Sequence, residues 1–95
     1  MTGVEHIALE RQRQIDEEGW SAEHDAQHTF QELARLAACY AIPPNMRENL
    51  VDIEYIFPFE CQYWKPSPDN RVRELVKAGA LIAAEIDRLQ AAGGE

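Results

Sequence analysis

Positive charge is scarce in this sequence. Nine lysines and arginines stand against seventeen acidic residues, a net charge of −8. A surface of that sign repels a phosphate backbone at long range, which argues against nucleic-acid binding. Long apolar runs are missing too: no stretch approaches the ~20 residues that span a bilayer, and no charged leader followed by an apolar segment opens the chain. The expectation is a soluble protein of the cytoplasm that does not engage membranes. Cysteine is limited to Cys39 and Cys61, neither in a CxxC spacing. The two could pair, but reduced thiols in a cytosolic protein are the expected state. The five glycines build no phosphate loop, and neither a GxSxG elbow nor a cysteine–histidine motif is present, so nucleophilic catalysis has no support.

What is present describes one small globular domain. The chain has 95 residues, 45% of them hydrophobic and 27% charged, which suits a single core and is too short for two. Net stability from such a core is only about 5 kcal/mol, so a homo-oligomer that buries further helix surface is expected. The acidity is concentrated at the front: residues 1 to 32 hold eight acids and two bases, whereas residues 69 to 90 hold four of each.

The pattern is all-α, with three principal helices in a small bundle. Thr2 with Glu5 forms a capping-box spacing, and Val4, Ile7, Ala8, Arg11 and Ile15 recur at helical intervals over about residues 3 to 18. Gly19 suits the left-handed stop, with Trp20 folding back as its apolar partner. Phe30, Leu33, Ala34, Ala37, Tyr40 and Ala41 write a second helix that Pro43 and Pro44 end. Its start is open: Ser21 caps a helix that includes both histidines, or Thr29 with Glu32 begins it later, and a short turn at 21 to 27 running into the helix is favoured. Residues 43 to 68 combine prolines with Tyr55, Phe57, Phe59, Tyr63 and Trp64 and show little period. They are expected to form a long, ordered aromatic loop with a helical turn at 45 to 50. The third helix is expected from about 68 to 91, with Ser67 as N-cap, Pro68 at its first position, and a stripe of Val72, Leu75, Val76, Gly79, Ile82, Ala83, Ile86 and Leu89. Its small residues Ala78, Gly79, Ala80, Ala83 and Ala84 suit close approach of another helix, within the fold or from a second subunit.

Several groups of residues invite a chemical reading. His24 and His28 stand four apart beside Asp25, a spacing that brings two imidazoles to one helix face, with Glu32 a turn further on. HDxxH is not HExxH, however, and no third ligand is fixed by spacing, so a polar helix cap explains the string as well as a site does. Glu10 with Glu17 or Glu18, Glu74 and Glu85 are candidate magnesium carboxylates, but they lack the paired pattern that such chemistry uses and are read as solvated charges. Arg11, Arg13, Gln14, Arg71, Arg73 and Lys77 offer donors for an anion. Arg11 falls on the apolar stripe and so needs a partner: Asp25, Glu32 or a ligand phosphate. Trp20, Trp64, Tyr63 and Tyr40 are either core filler or the walls of a slot for a planar ring.

Taken together, "IALERQRQIDEEGW", "EHDAQH", "ELARLAACYA", "YWKP" and "RELVKAGALIAAEIDRL" resemble a group of small helical proteins encoded by bacteriophages and prophages. The resemblance spans Ile7 to Leu89. It implies an α-helical phage or prophage protein of the bacterial cytosol and names no activity. The chain departs from that group at Ala26, where a second acid is usual, and at Phe57–Pro58, where a tryptophan–proline pair is usual. It is also similar, more loosely, to MazG-like pyrophosphohydrolases, whose carboxylate motif it does not match, and to the ryanodine-receptor repeat, with its helix leading to "GW" and a KP-like entry to a last helix. Both likenesses imply a nucleotide or nucleotide-derived ligand.

The resulting expectation is a non-enzymatic, phage-type accessory module that binds a small phosphorylated ligand without a cofactor. Glu10, Arg11, Gln14, Trp20, His24, Asp25 and His28 would form one side of the site and Trp64 with Lys65 the other. Arg11 and Lys65 would meet phosphate, the tryptophans a ring, and the histidines and Asp25 polar edges. Two alternatives remain open: a magnesium-dependent nucleoside triphosphate pyrophosphohydrolase, with Asp25, Glu10 and the histidines holding the ion, and an inhibitor that blocks a host defence protein by direct contact.

Overall fold

Thr2 starts the first helix through the reciprocal contacts its spacing predicts. Its hydroxyl accepts from the Glu5 N–H at 3.2 Å, and the Glu5 carboxylate accepts from the Thr2 N–H at 2.9 Å. This satisfies two donors that a helix end leaves free. In the computed structural model, which describes residues 1–29, 31–47 and 65–93, that helix is α1, Gly3–Glu18. Gly19 ends it at φ 75°, and the N–H groups of Gly19 and Trp20 both reach back to the Gln14 carbonyl. A side chain at that φ would be strained, hence glycine.

Trp20 folds back against the core as expected. Ser21 then caps a short helix α2, Ala22–Ala26, accepting from the His24 N–H at 3.3 Å. It does not run on. Gln31 takes a left-handed φ of 60° and breaks the chain before α3, Glu32–Ala41. The second expected helix is therefore two, and the Thr29–Glu32 start is not used. Pro44–Arg47 forms a single turn, α4, where a helical turn was expected slightly later. The last helix, α5, is Arg71–Ala91, capped by Asn70, whose side chain accepts from the Arg73 N–H at 3.1 Å. Ser67 and Pro68 lie outside it because the Asn70 N–H bonds back to the Ser67 carbonyl at 2.8 Å, closing a turn first. The fold is all-α, with no strand among the described residues. The expected aromatic loop, with Tyr55, Phe57, Phe59, Tyr63 and Trp64, lies outside the described residues, as does Phe30.

α5 is the element on which α1, α2 and α3 all pack. Leu33, Leu36, Ala37 and Tyr40 of α3 interlock with Ala78, Leu81 and Ala84 of α5 in one buried cluster. This i, i+3, i+4, i+7 set is the narrow apolar stripe of an amphipathic helix. The small residues of α5 are thus spent inside the fold. Gly79 lies under Ile7, whose Cδ1 would stand 2.5 Å from a Cβ there, so α1 approaches α5 closely at that point.

Two expectations about helix faces are corrected. Most of the expected stripe on α5 faces outward: Val72, Leu75, Ile82, Ile86 and Leu89 are exposed, whereas Val76 is buried and Gly79 lies under Ile7. The face turned inward carries Glu74 and Glu85, which are buried and not solvated. On α1 the buried residues are Glu10 and Gln14, while Val4 and Leu9 are exposed. Each buried carboxylate has arginine partners, the condition under which burial of a charge is tolerated. Glu85 holds Arg88; Glu10 holds Arg13 and Arg73; Glu74 holds Arg47 and Arg71.

The Glu74 group explains how α3 can end abruptly at the prolines. The last four carbonyls of a helix have no partner within it. Here Arg47 Nη1 donates to the carbonyls of Cys39 and Ile42, both at 3.2 Å. Arg71 donates to those of Tyr40, at 2.9 Å, and Ala41. Both guanidinium groups are anchored by Glu74, at 2.8 and 3.2 Å, and the cations also oppose the negative end of the helix dipole.

Candidate functional site

Gln14 and Glu10 stand one helical turn apart on α1 and face the same way, which brings both into a cleft between α1, α3 and α5. Its lining consists of Glu10, Arg13, Gln14, Glu18 and Trp20 from the front of the chain, Tyr40 from α3, Lys65, and Lys77 and Leu81 from α5. The inner space is about 30 Å³, enough for about two waters or one polar group. Glu10 sits at its floor. Burial works against its charge, yet the bonds from Arg13 and Arg73 outweigh burial and hold the carboxyl below its ordinary value.

Gln14 Nε2 donates to Glu10 Oε2 at 3.2 Å, while Gln14 Oε1 has no partner among the described residues, although the residue is 2% exposed. A buried acceptor left unmet costs about 1–3 kcal/mol unless water or a ligand reaches it. Lys77 is the other unsettled group. Its ammonium donates to the Lys65 carbonyl at 2.8 Å and lies 5.4 Å from the Tyr40 ring centroid, and no carboxylate pairs with it among the described residues. Burial first, and then Arg73, Arg13 and Lys65 nearby, push its pKa down despite the pull of Glu10. Lys65 is exposed and loosely held by Glu18 at 3.5 Å, and its N–H donates to the Tyr40 hydroxyl at 3.2 Å.

The remaining expected residues gather on the other side of Trp20. Arg11 donates to the Trp20 carbonyl at 3.3 Å and to Asp25 Oδ2 at 3.2 Å, with Asp87 at 3.9 Å. Of the partners weighed for Arg11, the internal salt bridge is the one formed. Asp25 is 1% exposed. His24 Nδ1 lies 3.2 Å from Asp25 Oδ1, and His28 Nδ1 lies 3.1 Å from Glu32 Oε2. The His24 ring is stacked near-parallel on Trp20, and His28 meets His24 edge-on with 4.8 Å between centroids. The histidines therefore adjoin although α2 ends between them. A second hollow, of about 210 Å³, lies beside this cluster against Arg11, Asp25, Asp87 and Arg88.

The structure thus brings together Glu10, Gln14, Trp20 and Lys65 in the cleft, and Arg11, His24, Asp25 and His28 behind Trp20, which belongs to both groups. Trp64 lies outside the described residues. Arg13, Tyr40 and Lys77 complete the cleft. The signal for Lys77 was a lone cation in an otherwise small and apolar turn of the last helix. Among the described residues no three His, Cys, Asp or Glu side chains converge in a way that could hold a metal ion, and no helix is long and apolar enough to cross a membrane. No protein-family model, curated protein or solved structure matches this chain.

Proposed function

We propose that the cleft binds a small phosphorylated or nucleotide-derived ligand, and that the protein is a non-enzymatic accessory module of phage type working in a bacterial cytosol. Lys77 carries this reading: a half-buried ammonium that pairs with no carboxylate among the described residues of an acidic chain. An anion is the species that relieves such a charge. Lys65, exposed and weakly paired, swings to meet the same phosphate, the contact that Arg11, committed to Asp25, does not supply. The inner space admits one polar group, so a hydroxyl or amino donor of the ligand reaches Gln14 Oε1 there. The ring lies at the mouth against Trp20, where stacking on an aromatic face is favourable. Arg11, His24 and Asp25 hold Trp20 from behind. The likeness to phage-encoded proteins, and the looser likenesses to nucleotide-binding families, support the accessory role and the ligand class.

The test is thermal unfolding of the whole chain with nucleoside mono-, di- and triphosphates, ribose phosphates and pyrophosphate, each with and without magnesium. The expected result is a rise in Tm of about 5–10 °C for at least one compound near tenfold its Kd. Lys77→Met, which keeps the apolar stem, abolishes that rise. No shift at millimolar concentration of any member overturns the proposal. Release of pyrophosphate in the same samples, lost in Asp25→Ala, replaces it with a hydrolase. Stable capture of a host protein whose binding survives Lys77→Met and is lost on charge reversal in residues 16 to 25 replaces it with an inhibitor.

A further inference from the structure

Lys65 and Lys77 are the only two lysines of the sequence, and both line the cleft. An ammonium carries three N–H donors. That of Lys77 uses one, on the Lys65 carbonyl at 2.8 Å, and stands 5.4 Å from the centre of the Tyr40 ring. Its other two donors have no hydrogen-bond partner among the described residues. Both carboxylates that line the cleft are already committed: Glu10 to Arg13 and Arg73, and Glu18 to Arg13 and Lys65. The charges left to act on Lys77 are therefore mainly of its own sign. A half-buried amine among cations is favoured as the neutral base, and the neutral base is a nucleophile. Burial, with Arg73, Arg13 and Lys65, lowers the Lys77 pKa against the pull of Glu10.

We infer that Lys77 is a nucleophilic amine that holds a carbonyl ligand as an imine. Resting on the reading of the cleft as a phosphate site, the ligand class is a phosphorylated aldehyde.

The step balances within the amine, the aldehyde and water. The ammonium gives one proton to water, and the nitrogen lone pair attacks the carbonyl carbon to form a C–N bond. A second proton passes from nitrogen to the former carbonyl oxygen. The proton lent to water then returns to that hydroxyl, which leaves as water as the C=N bond forms. Three ammonium protons become two on water and one on the imine, and nothing is oxidised or reduced. The protonated imine keeps the charge of Lys77 and one N–H, so the bond to the Lys65 carbonyl and the attraction for phosphate both survive. Lys65, exposed and held by Glu18 at only 3.5 Å, remains for the phosphate. Water reverses the step, which makes it a mode of binding and not a reaction with a product.

The test uses the full chain and two probes, pyridoxal phosphate and pyridoxal, which differ only in the phosphate. Each is titrated against the protein at neutral pH, the imine is read by its visible absorbance, and borohydride fixes it for location by peptide mass. One adduct is expected, on Lys77, with pyridoxal phosphate at least about tenfold tighter than pyridoxal. Acetylation of Lys77 by acetic anhydride should reach half its full rate at a lower pH in the folded chain than in the urea-unfolded chain. A half-buried lysine with only a structural role labels more slowly when folded and shows no such displacement. Lys77→Arg, which keeps the charge, should form no adduct and still gain Tm from the phosphates that stabilise the unchanged chain.

No adduct, or adducts spread equally over Lys65, Lys77 and the Met1 amine, overturns the inference and leaves the phosphate reading to its own test. An undisplaced labelling profile also overturns it. Equal affinity for pyridoxal on Lys77 alone supports the nucleophile and overturns the phosphate reading, and the ligand class with it. Should Lys77→Arg not fold, the adduct site and the labelling profile decide, since both are read on the unchanged chain.

Discussion

Arg73 Nη1 on α5 lies 2.6 Å from Glu10 Oε1 on α1, and the two residues are 63 positions apart in the chain. Glu10 is 3% exposed, so the contact lies at the floor of the cleft and ties α1 to the helix on which the rest of the fold is built. A surface pair of this kind contributes under about 1 kcal/mol. Removing a partner from a buried carboxylate costs more, because the charge stays behind. Arg73→Met is therefore expected to lower the unfolding free energy in urea by about 1–3 kcal/mol, with Arg13 holding the remainder. A loss below ~0.5 kcal/mol would show the pair to be an ordinary surface contact.

Glu74 is the hub that closes α3, and removing its charge should do the most damage. Glu74→Ala strands Arg47 and Arg71 and leaves the Ser67 N–H, now donating at 3.0 Å, without its acceptor. The expected cost is about 3–5 kcal/mol, enough to leave a domain of this size largely unfolded at 37 °C. Circular dichroism of the variant against the unchanged chain reads this directly. A folded variant with unchanged Tm would mean that the carbonyls of α3 are satisfied in another way.

Acid should unfold the protein through the same carboxylates. Burial opposes the charge on both Glu10 and Glu74, but the arginine bonds prevail, with the Ser67 N–H adding to them at Glu74, and both stay below the ordinary value of 4.5. A carboxylate with a depressed folded pKa contributes stability that is complete above its unfolded value and is lost as pH falls through the folded one. Unfolding free energy is thus expected to be flat above about pH 5 and to fall steeply below 4.5. In Glu10→Gln the starting stability is lower and the acid limb shallower. An acid limb of equal slope in that variant would show that other groups carry the effect.

Ile7 and Gly79 should be energetically coupled. An added Cβ at 79 would meet Ile7 Cδ1 at 2.5 Å and Cγ1 at 2.8 Å, so Gly79→Ala sets overpacking against a helix-propensity gain of about 1 kcal/mol. With Ile7→Ala the clash is gone and the gain remains. A double-mutant cycle is expected to show Gly79→Ala more favourable in the Ile7→Ala background by about 1–2 kcal/mol. Additive effects would place Ile7 elsewhere.

Cys39 reports on the core of α3. Its thiol is 1% exposed, and burial pushes its pKa up in spite of Arg35 and Arg47 nearby. In a Cys61→Ser chain, alkylation at pH 8 should be at least a hundredfold slower than in denaturant and should accelerate with urea in step with global unfolding. Rapid labelling of the native protein would mean that α3 opens on its own.

The local signals in the sequence translated directly into structure because their physics is local. Thr2, Glu5 and Gly19 bound α1 within a few residues of one another, and Ser21 caps its turn in the same way. The spacing of Leu33, Ala37 and Tyr40 correctly marked the packed face of α3. The cleft was partly legible too: Glu10, Gln14, Trp20 and Lys65 were candidates before any geometry, chosen for residue type and helical spacing. Lys77 and Tyr40 were visible as a donor and an aromatic, but nothing in their own neighbourhoods said that they face each other across two helices.

By itself the sequence determined the helical class, the ends of α1 and the acidity of the front half, since capping, φ preferences and composition act over a few residues. The tertiary structure alone decided which faces of α1 and α5 are inside. An apolar stripe on α5 and a row of glutamates compete for the interior, and periodicity favours the stripe. Arg73, 63 residues from Glu10, and Arg47, 27 residues from Glu74, reverse that outcome together with the nearby Arg13 and Arg71, because pairing removes the penalty for burying the two carboxylates.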